Sequence, residues 1–321
     1  MMINFAAQKT APICFRGYNE HTTIKSGASS TSYVHITNFM RDFETLDFTQ
    51  NYIKEKFPNG THIAEFGCSQ GQKPYSLLVL LDDANKDKKY KITGFDIVQD
   101  VVDKAENGLF KLENSAEEKM LFAEPTDLLL SDREITKEKA AREKFFQYFD
   151  KVETCHNRPN SLQYIRVNHA KTQNLIDFKV GDIEKIDSIL PKEKSGIVIF
   201  QNALYHILNR KNEAPLQHLI NPQESKPDLP AVQKIFEKIH SILPENGIFV
   251  IGNLPHDHIY TKSTEPTTLK YQNNKQIEVF DSSPVHDLLK KTGFEPIFYE
   301  GTPGRSSVHL PSVWKKTPLK R

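Results

Sequence analysis

The chain has 321 residues, 38% apolar and 26% charged, with 14 Gly and 18 Pro. That suffices for one large globular unit and excludes a disordered or collagen-like chain. Lys and Arg number 42 against 41 Asp and Glu, a formal charge of +1, so charge gives no reason to expect nucleic acid as a partner. Cys14, Cys68 and Cys155 make neither a disulfide framework nor a zinc spacing, which fits a reducing, cytoplasmic setting. Met1 to Ala11 shows no signal-peptide pattern, and no apolar run approaches the ~20 residues of a membrane span.

Residues 1–36 read as an N-terminal arm, with the polar tract Gly27-Ala28-Ser29-Ser30-Thr31-Ser32 as a flexible stretch. From Asn38 to Phe57 the apolar positions Phe39, Phe43, Leu46, Ile53 and Phe57 recur at helical spacing, and Pro58-Asn59-Gly60 stops the pattern. A strand over 61–66, a Gly-rich turn and a helix over about 74–81 follow. A strand over 91–96 then leads to a helix over 98–107 that ends at Gly108. Further strands are expected at 176–180, 196–200 and 247–252, the last fed by a helix over 231–243 with Pro230 at its start. A short helix over 284–292, a strand over 294–299 and a final strand over 308–314 close the chain. Strands separated by helices imply a mostly parallel, doubly wound α/β sheet. Three stretches interrupt the alternation: 111–163, charged and largely helical with an aromatic anchor at Phe145, Phe146, Tyr148 and Phe149; 208–230, rich in Pro; and 257–281, a candidate hairpin over the sheet edge.

The segment Glu65-Phe66-Gly67-Cys68-Ser69-Gln70-Gly71 lies between a strand and a helix, where a glycine-rich turn can receive a ligand. Its spacing is neither the dinucleotide fingerprint nor a phosphate loop, so a nicotinamide enzyme is disfavoured. Glu65 suits a ligand with a positive centre: it can meet an amino group directly, meet it through water, or organise the turn. Asp96, at the end of the second strand, can accept from two ribose hydroxyls, and Asp182 with Ile183 can approach an adenine edge. Together these residues favour S-adenosylmethionine as the cofactor.

The run Gly67-Cys68-Ser69-Gln70-Gly71-Gln72-Lys73-Pro74-Tyr75-Ser76 resembles the Cys-Ser-Thr-Gly-Glu-Glu-Pro-Tyr-Ser signature of the chemotaxis-receptor glutamate methyltransferases, the CheR family. Thr37-Asn38-Phe39-Met40-Arg41-Asp42 resembles the family's Thr-x-Phe-Phe-Arg-Asp, and Thr93-Gly94-Phe95-Asp96-Ile97 its Ala-Thr-Asp-Ile-Asp. Ala105, Gly108 and Phe110 match Ala-x-x-Gly-x-Tyr, Gln147-Tyr148-Phe149 resembles Arg-Tyr-Phe, and Ile176 to Ile183 resembles the Val-x-Phe strand and its sequel. Phe200-Gln201-Asn202-Ala203-Leu204 resembles Cys-Arg-Asn-Val-Leu, and Leu243-Pro244-Glu245-Asn246-Gly247 resembles Leu-x-Pro-Gly-Gly. The likeness runs over about 37–315. It implies a Rossmann-like class I methyltransferase: a seven-stranded, mostly parallel sheet with helices on both faces and a final antiparallel strand, filling 37–321 around the three insertions.

It also implies a bacterial enzyme that moves a methyl group from S-adenosylmethionine, leaving S-adenosylhomocysteine, to a glutamate carboxylate of a protein. The cofactor residues it implies are Arg41, Glu65, Gly67, Cys68, Ser69, Gly71, Tyr75, Asp96, Ile97, Asp182, Ile183, Asn202 and Ala203. The chain departs from the pattern at Gln72 and Lys73, which replace two glutamates, and at His206, which aligns with the family's active-site tyrosine. A small-molecule acceptor, another acceptor atom and a non-catalytic module with the same fold therefore stay open.

In-line methyl transfer needs alignment and exclusion of water above all. A carboxylate acceptor is ionised at neutral pH and needs no base, whereas an amine or phenol would give His206 or its neighbour Tyr205 a role. Arg41 suits a carboxylate, either the cofactor's or the acceptor's. Tyr75 either meets the ligand or fills the core, and Cys68 reads as a small residue in a tight turn. His256-Asp257-His258 has no established metal spacing, so no metal is expected. The stretch Arg305 to Arg321 carries five basic residues and no acid, and reads as a solvated end.

Overall fold

In the computed structural model Thr61–Phe66 lies inside the main sheet with a strand on each side, and Ile63, Ala64, Glu65 and Phe66 are buried because both faces of the strand are covered. The structure describes residues 21–26, 29–34, 39–82, 87, 89–112, 140–141, 143–152, 163–201, 203–208, 227–251, 268–272, 275–279, 284–297 and 312–318. In chain order these form β1 (His21–Ser26), β2 (Ser29–Val34), α1 (Phe43–Lys56), β3 (Thr61–Phe66), α2 (Gln72–Leu81), β4 (Tyr90–Asp96), α3 (Gln99–Asn107) and β5 (Leu109–Leu112). Next come β6 (Phe149–Val152), β7 (Gln163–Val167), α4 (His169–Thr172), β8 (Ile176–Val180), α5 (Ile186–Ile189), β9 (Ser195–Ile199), α6 (Leu204–Leu208) and α7 (Leu229–Ile242). The chain closes with β10 (Ile248–Val250), β11 (Thr268–Gln272), β12 (Lys275–Val279), α8 (Pro284–Lys291), β13 (Phe294–Ile297) and β14 (Val313–Lys316).

The main sheet has seven strands in the order β13-β14-β10-β9-β3-β4-β8. β10, β9, β3, β4 and β8 pair in parallel, and β14 runs antiparallel to both β10 and β13. Successive crossovers travel from β3 through β4 to β8, and the chain then returns to the other side of β3 as β9. The order thus reverses between β3 and β9, which opens a crevice at their carboxyl ends. Two apolar layers flank the sheet. On one side α7 buries Val232, Ile235, Phe236, Ile239 and Ile242 with Phe249 and Trp314; on the other α1 and α2 bury Leu46, Ile53, Leu77 and Leu81 with Ile63 and Ile92. At ~25 cal/mol per Å2 of apolar surface these faces supply most of the drive to fold.

The structure corrects several expectations. The first helix begins at Phe43, because Met40 and Asp42 take left-handed φ values of 52° and 56° in a turn that no helix can contain. Part of the polar tract in the arm is strand: Ser29–Val34 pairs antiparallel with His21–Ser26. The stretch expected to be largely helical contributes β6 and part of β7, which with β5 make a three-stranded antiparallel sheet. In β6, apolar Phe149 and Val152 flank charged Asp150 and Lys151, so the strand carries few side chains that announce it. Phe145, Tyr148 and Phe149 do anchor it, packed with Phe39, Tyr75 and Phe110, while Phe146 is exposed. The hairpin expected within 257–281 forms as β11 and β12, and the last strand is shorter, Val313–Lys316. His256 to His258, most of 208–230 and most of the basic stretch after Arg305 lie outside the described residues. No helix among the described residues is long and apolar enough to cross a membrane.

Candidate active site

The turn after β3 is built by backbone geometry that few residues allow. Gly67 and Gly71 have φ of 67° and 91°, and between them Ser69 is held at 53°. A Cβ on Gly67 would lie 2.8 Å from that of Ala203, and one on Gly71 would lie 2.8 Å from the Phe178 ring. Glycine is required at both places by sterics as well as by φ. Two bonds tie the turn to the neighbouring strand: the Cys68 N–H donates to the Phe95 carbonyl at 3.0 Å, and the Ser69 N–H donates to Asp96 Oδ2 at 3.0 Å. The turn closes on itself through Gly71 N–H to the Cys68 carbonyl at 3.0 Å, and α2 starts directly after it.

Three acidic side chains stand near this end of the sheet in different settings. Glu65 is buried at 3% exposure, and its Oε2 has no hydrogen-bond partner among the described residues. Burial pushes its carboxyl up to about 7, and the nearby Lys73 charge works against that rise. Asp96 is also buried and spends one lone pair of each oxygen on a main-chain N–H, from Ser69 and, at 3.2 Å, from Val98. Ile97 beside it is exposed at 41%, and Val180 at the end of the adjacent strand at 50%. Asp182 is half-buried and caps the short 3-10 turn of Ile183–Lys185, accepting from the Glu184 N–H at 2.9 Å.

Behind the turn lies a buried polar cluster that the sequence reading did not assign to the site. The Lys73 ammonium donates to Gln201 Oε1 at 2.5 Å and stands 3.9 Å from Asp42 Oδ2. The Gln201 amide donates to the same Asp42 oxygen at 2.9 Å. Burial lowers the Lys73 pKa, Asp42 and Glu65 raise it again, and Arg41 adds to the lowering. Arg41 is half-buried in the Met40–Asp42 turn rather than on the helix. The signal that could have marked this cluster was the family pattern itself, since Lys73 and Gln201 both depart from it.

The remaining candidates separate. Tyr75 is corrected to a core residue: it is buried, its hydroxyl donates to the Ala105 carbonyl at 3.0 Å, and its ring packs on Phe178. Burial raises its phenol pKa. Ile183 is likewise part of the core against Phe95 and Ile186, so Ile97, not Ile183, offers open apolar surface beside Asp96. Cys68 is buried, and burial pushes its thiol well up, which leaves it inert as a nucleophile. Ala203 is half-buried over Gly67, and His206 is half-buried on α6, its N–H donating to the Ala203 carbonyl. Tyr205 lies on the same helix, and Asn202 lies outside the described residues.

The strand order with its single antiparallel strand, and a glycine turn facing Asp96 at the crevice, give the Rossmann-like fold of class I methyltransferases. Residues 35–121 match the family model described as CheR methyltransferase, SAM binding domain. No curated protein matches the chain. Among solved structures it is similar to a SAM-dependent methyltransferase from Methanosarcina mazei, with 15% identity, 85% of this chain and 98% of that one covered, and a TM-score of 0.35. It is also similar to the PH0226 protein from Pyrococcus horikoshii OT3, with 13% identity, 87% and 91% covered, and a TM-score of 0.38. Against a monomeric WbdD the identity is 11%, 85% of this chain is covered and the TM-score is 0.38; the chain spans 41% of that structure's length and 28% of another WbdD structure's.

The residues present fit the cofactor. The Glu65 oxygen that lacks a partner among the described residues offers an acceptor for an ammonium, the Asp96 carboxylate at the end of β4 suits a pair of hydroxyls, and exposed Ile97 offers apolar cover for an aromatic base.

Proposed function

We propose that the protein methylates a carboxylate of a protein acceptor, with residues 37–321 acting as one methyltransferase domain around insertions at about 111–163, 208–230 and 257–281. The observation that carries this reading is Arg41: a half-buried guanidinium in the turn that leads into the CheR-type segment, beside the buried Lys73 ammonium. A planar cationic fork next to the cofactor turn favours a carboxylate as the arriving group.

Bound S-adenosylmethionine supplies an electrophilic methyl group on a sulfonium, which leaves as a neutral thioether. In this reading Glu65 takes the amino group of the methionine end, the turn from Gly67 through Cys68 and Ser69 to Gly71 encloses that end, and Asp96 receives the ribose hydroxyls. Ile97 covers the adenine, Asp182 meets its edge, and Ala203 walls the crevice beside Gly67. Arg41 orients the acceptor carboxylate, one oxygen of which forms the new C–O bond as the C–S bond breaks. No proton moves, so no base is needed. His206 and Tyr205, following β9 on α6, shape the acceptor side of the crevice.

The test is transfer of label from methyl-tritiated S-adenosylmethionine to protein. A carboxyl ester releases its label as methanol in mild alkali, and that is the expected result. Label that survives alkali would overturn the carboxylate reading and favour an amine or phenol acceptor with His206 as its base.

A further inference from the structure

Two of the positions at which this chain changes charge relative to the CheR pattern meet in space. Lys73 stands where the pattern has glutamate and Gln201 where it has arginine; they are 128 residues apart and joined at 2.5 Å. Asp42, which matches the pattern, accepts from Gln201 at 2.9 Å. The glutamine amide is a two-ended connector, accepting from the lysine and donating to the aspartate. An arginine at 201 would donate to both Asp42 and a carboxylate at 73. The cluster therefore keeps its connectivity while the cation moves from position 201 to position 73.

Position gives the cluster its consequence. Lys73 is the second residue of α2, immediately behind the cofactor turn, and is 4% exposed. A buried ammonium persists only where partners compensate it. Gln201 belongs to the loop after β9, on the far side of the crevice. Asp42 closes the Met40–Asp42 turn, whose two ends are non-glycine residues at left-handed φ, a conformation that surrounding contacts must enforce. The other end of the turn is held from the same helix, as the Met40 N–H donates to Ser76 Oγ at 2.9 Å. Arg41 thus sits between two residues that α2 anchors.

We propose that Lys73 is a positioning residue: through Gln201 and Asp42 it latches the Arg41 turn and the loop after β9 onto the start of α2, and so holds the cofactor turn in its binding shape. This rests on the cofactor reading of that turn.

The experiment is calorimetric titration of the full chain with S-adenosylmethionine and with S-adenosylhomocysteine, alongside thermal unfolding, for the unaltered protein, K73M, K73E, Q201R and K73E/Q201R. K73M removes the buried charge with a side chain of similar length but leaves Gln201 and Asp42 without their cation, so some loss of melting temperature is expected. Measured well below that melting temperature, where the variant is folded, its cofactor affinity is expected to fall about tenfold or more. K73E and Q201R each weaken binding, and the double variant recovers to within about threefold of the unaltered protein. K73M binding as tightly as the unaltered protein, or a double variant no better than K73E, overturns the latch. Absence of binding by the unaltered protein would instead overturn the cofactor reading and take the latch with it.

Discussion

Asp96 accepts from the Ser69 N–H at 3.0 Å, so the carboxylate at the end of β4 shapes the turn at the end of β3. The two strands are direct parallel neighbours, with Phe66 opposite Phe95, which brings the turn and the acid into register. Ligand grip and turn geometry are coupled in one side chain.

Removal of that carboxylate should therefore act twice. D96A is expected to weaken S-adenosylmethionine binding by about 1–3 kcal/mol, from unpaired ribose hydroxyls together with a loosened turn. D96N, which keeps one acceptor oxygen, should lose less. Isothermal titration reads both, and unchanged affinity in D96A would remove Asp96 from the role assigned to it.

Glu65 predicts a pH dependence with a definite sign. Its carboxyl is raised to about 7 by burial, so below that pH the ligand-free protein holds a proton there. An arriving ammonium favours the ionised form and must displace that proton. Cofactor affinity should rise as pH climbs from 6 to 8, with proton release visible as a dependence of the binding enthalpy on buffer, and E65Q should flatten the profile. In the ligand-free protein a raised carboxyl favours the folded state below its unfolded pKa, and that contribution is lost as pH rises through 7.

Gly71 tests the sterics of the turn. Alanine there must keep a φ of 91° and place its methyl 2.8 Å from the Phe178 ring. G71A should lower stability by about 1–3 kcal/mol in urea unfolding. A second change, F178L, should recover only part of that loss, because it relieves the contact and leaves the φ strain. Full stability in G71A would show that the turn can rearrange.

A separate prediction concerns the opposite end of the sheet. His62 is held between Ser195 Oγ at 2.6 Å and Thr93 Oγ1 at 2.8 Å, and Thr93 donates on to Asp177 at 2.5 Å. Burial lowers the imidazole pKa; Asp177 opposes the shift, while Lys179 and Lys91 reinforce it. The unfolded chain thus takes up a proton that the folded chain resists, and stability should fall as pH drops through about 6.5. H62N should show a shallower decline of melting temperature between pH 7 and 5. An unchanged slope would place the acid sensitivity elsewhere.

Legibility in the sequence followed the range of the interactions. The β3 turn, Asp96 and the amphipathic α7 were readable because each depends on residues close in the chain: glycines at a strand end, an acid closing a strand, an apolar stripe of period 3.6. Tyr75 was left between ligand and core because a tyrosine next to a ligand turn looks the same in sequence whether it faces the ligand or the Ala105 carbonyl. β6 escaped notice because its four residues carry two charges in the middle, and β5 and β7 pair across long intervening segments.

Alternation of strand and helix, the glycines of the β3 turn and the order of the CheR-like segments belong to the linear chain, and they were enough to point to the class I methyltransferase fold. Which side chains surround Lys73, and that Arg41 is held from α2 at both ends, follow from the reversal of strand order between β3 and β9. That reversal carries Gln201 across 128 residues to the back of the cofactor turn. No local propensity encodes such a meeting, because its geometry is set only when both faces of the sheet have packed.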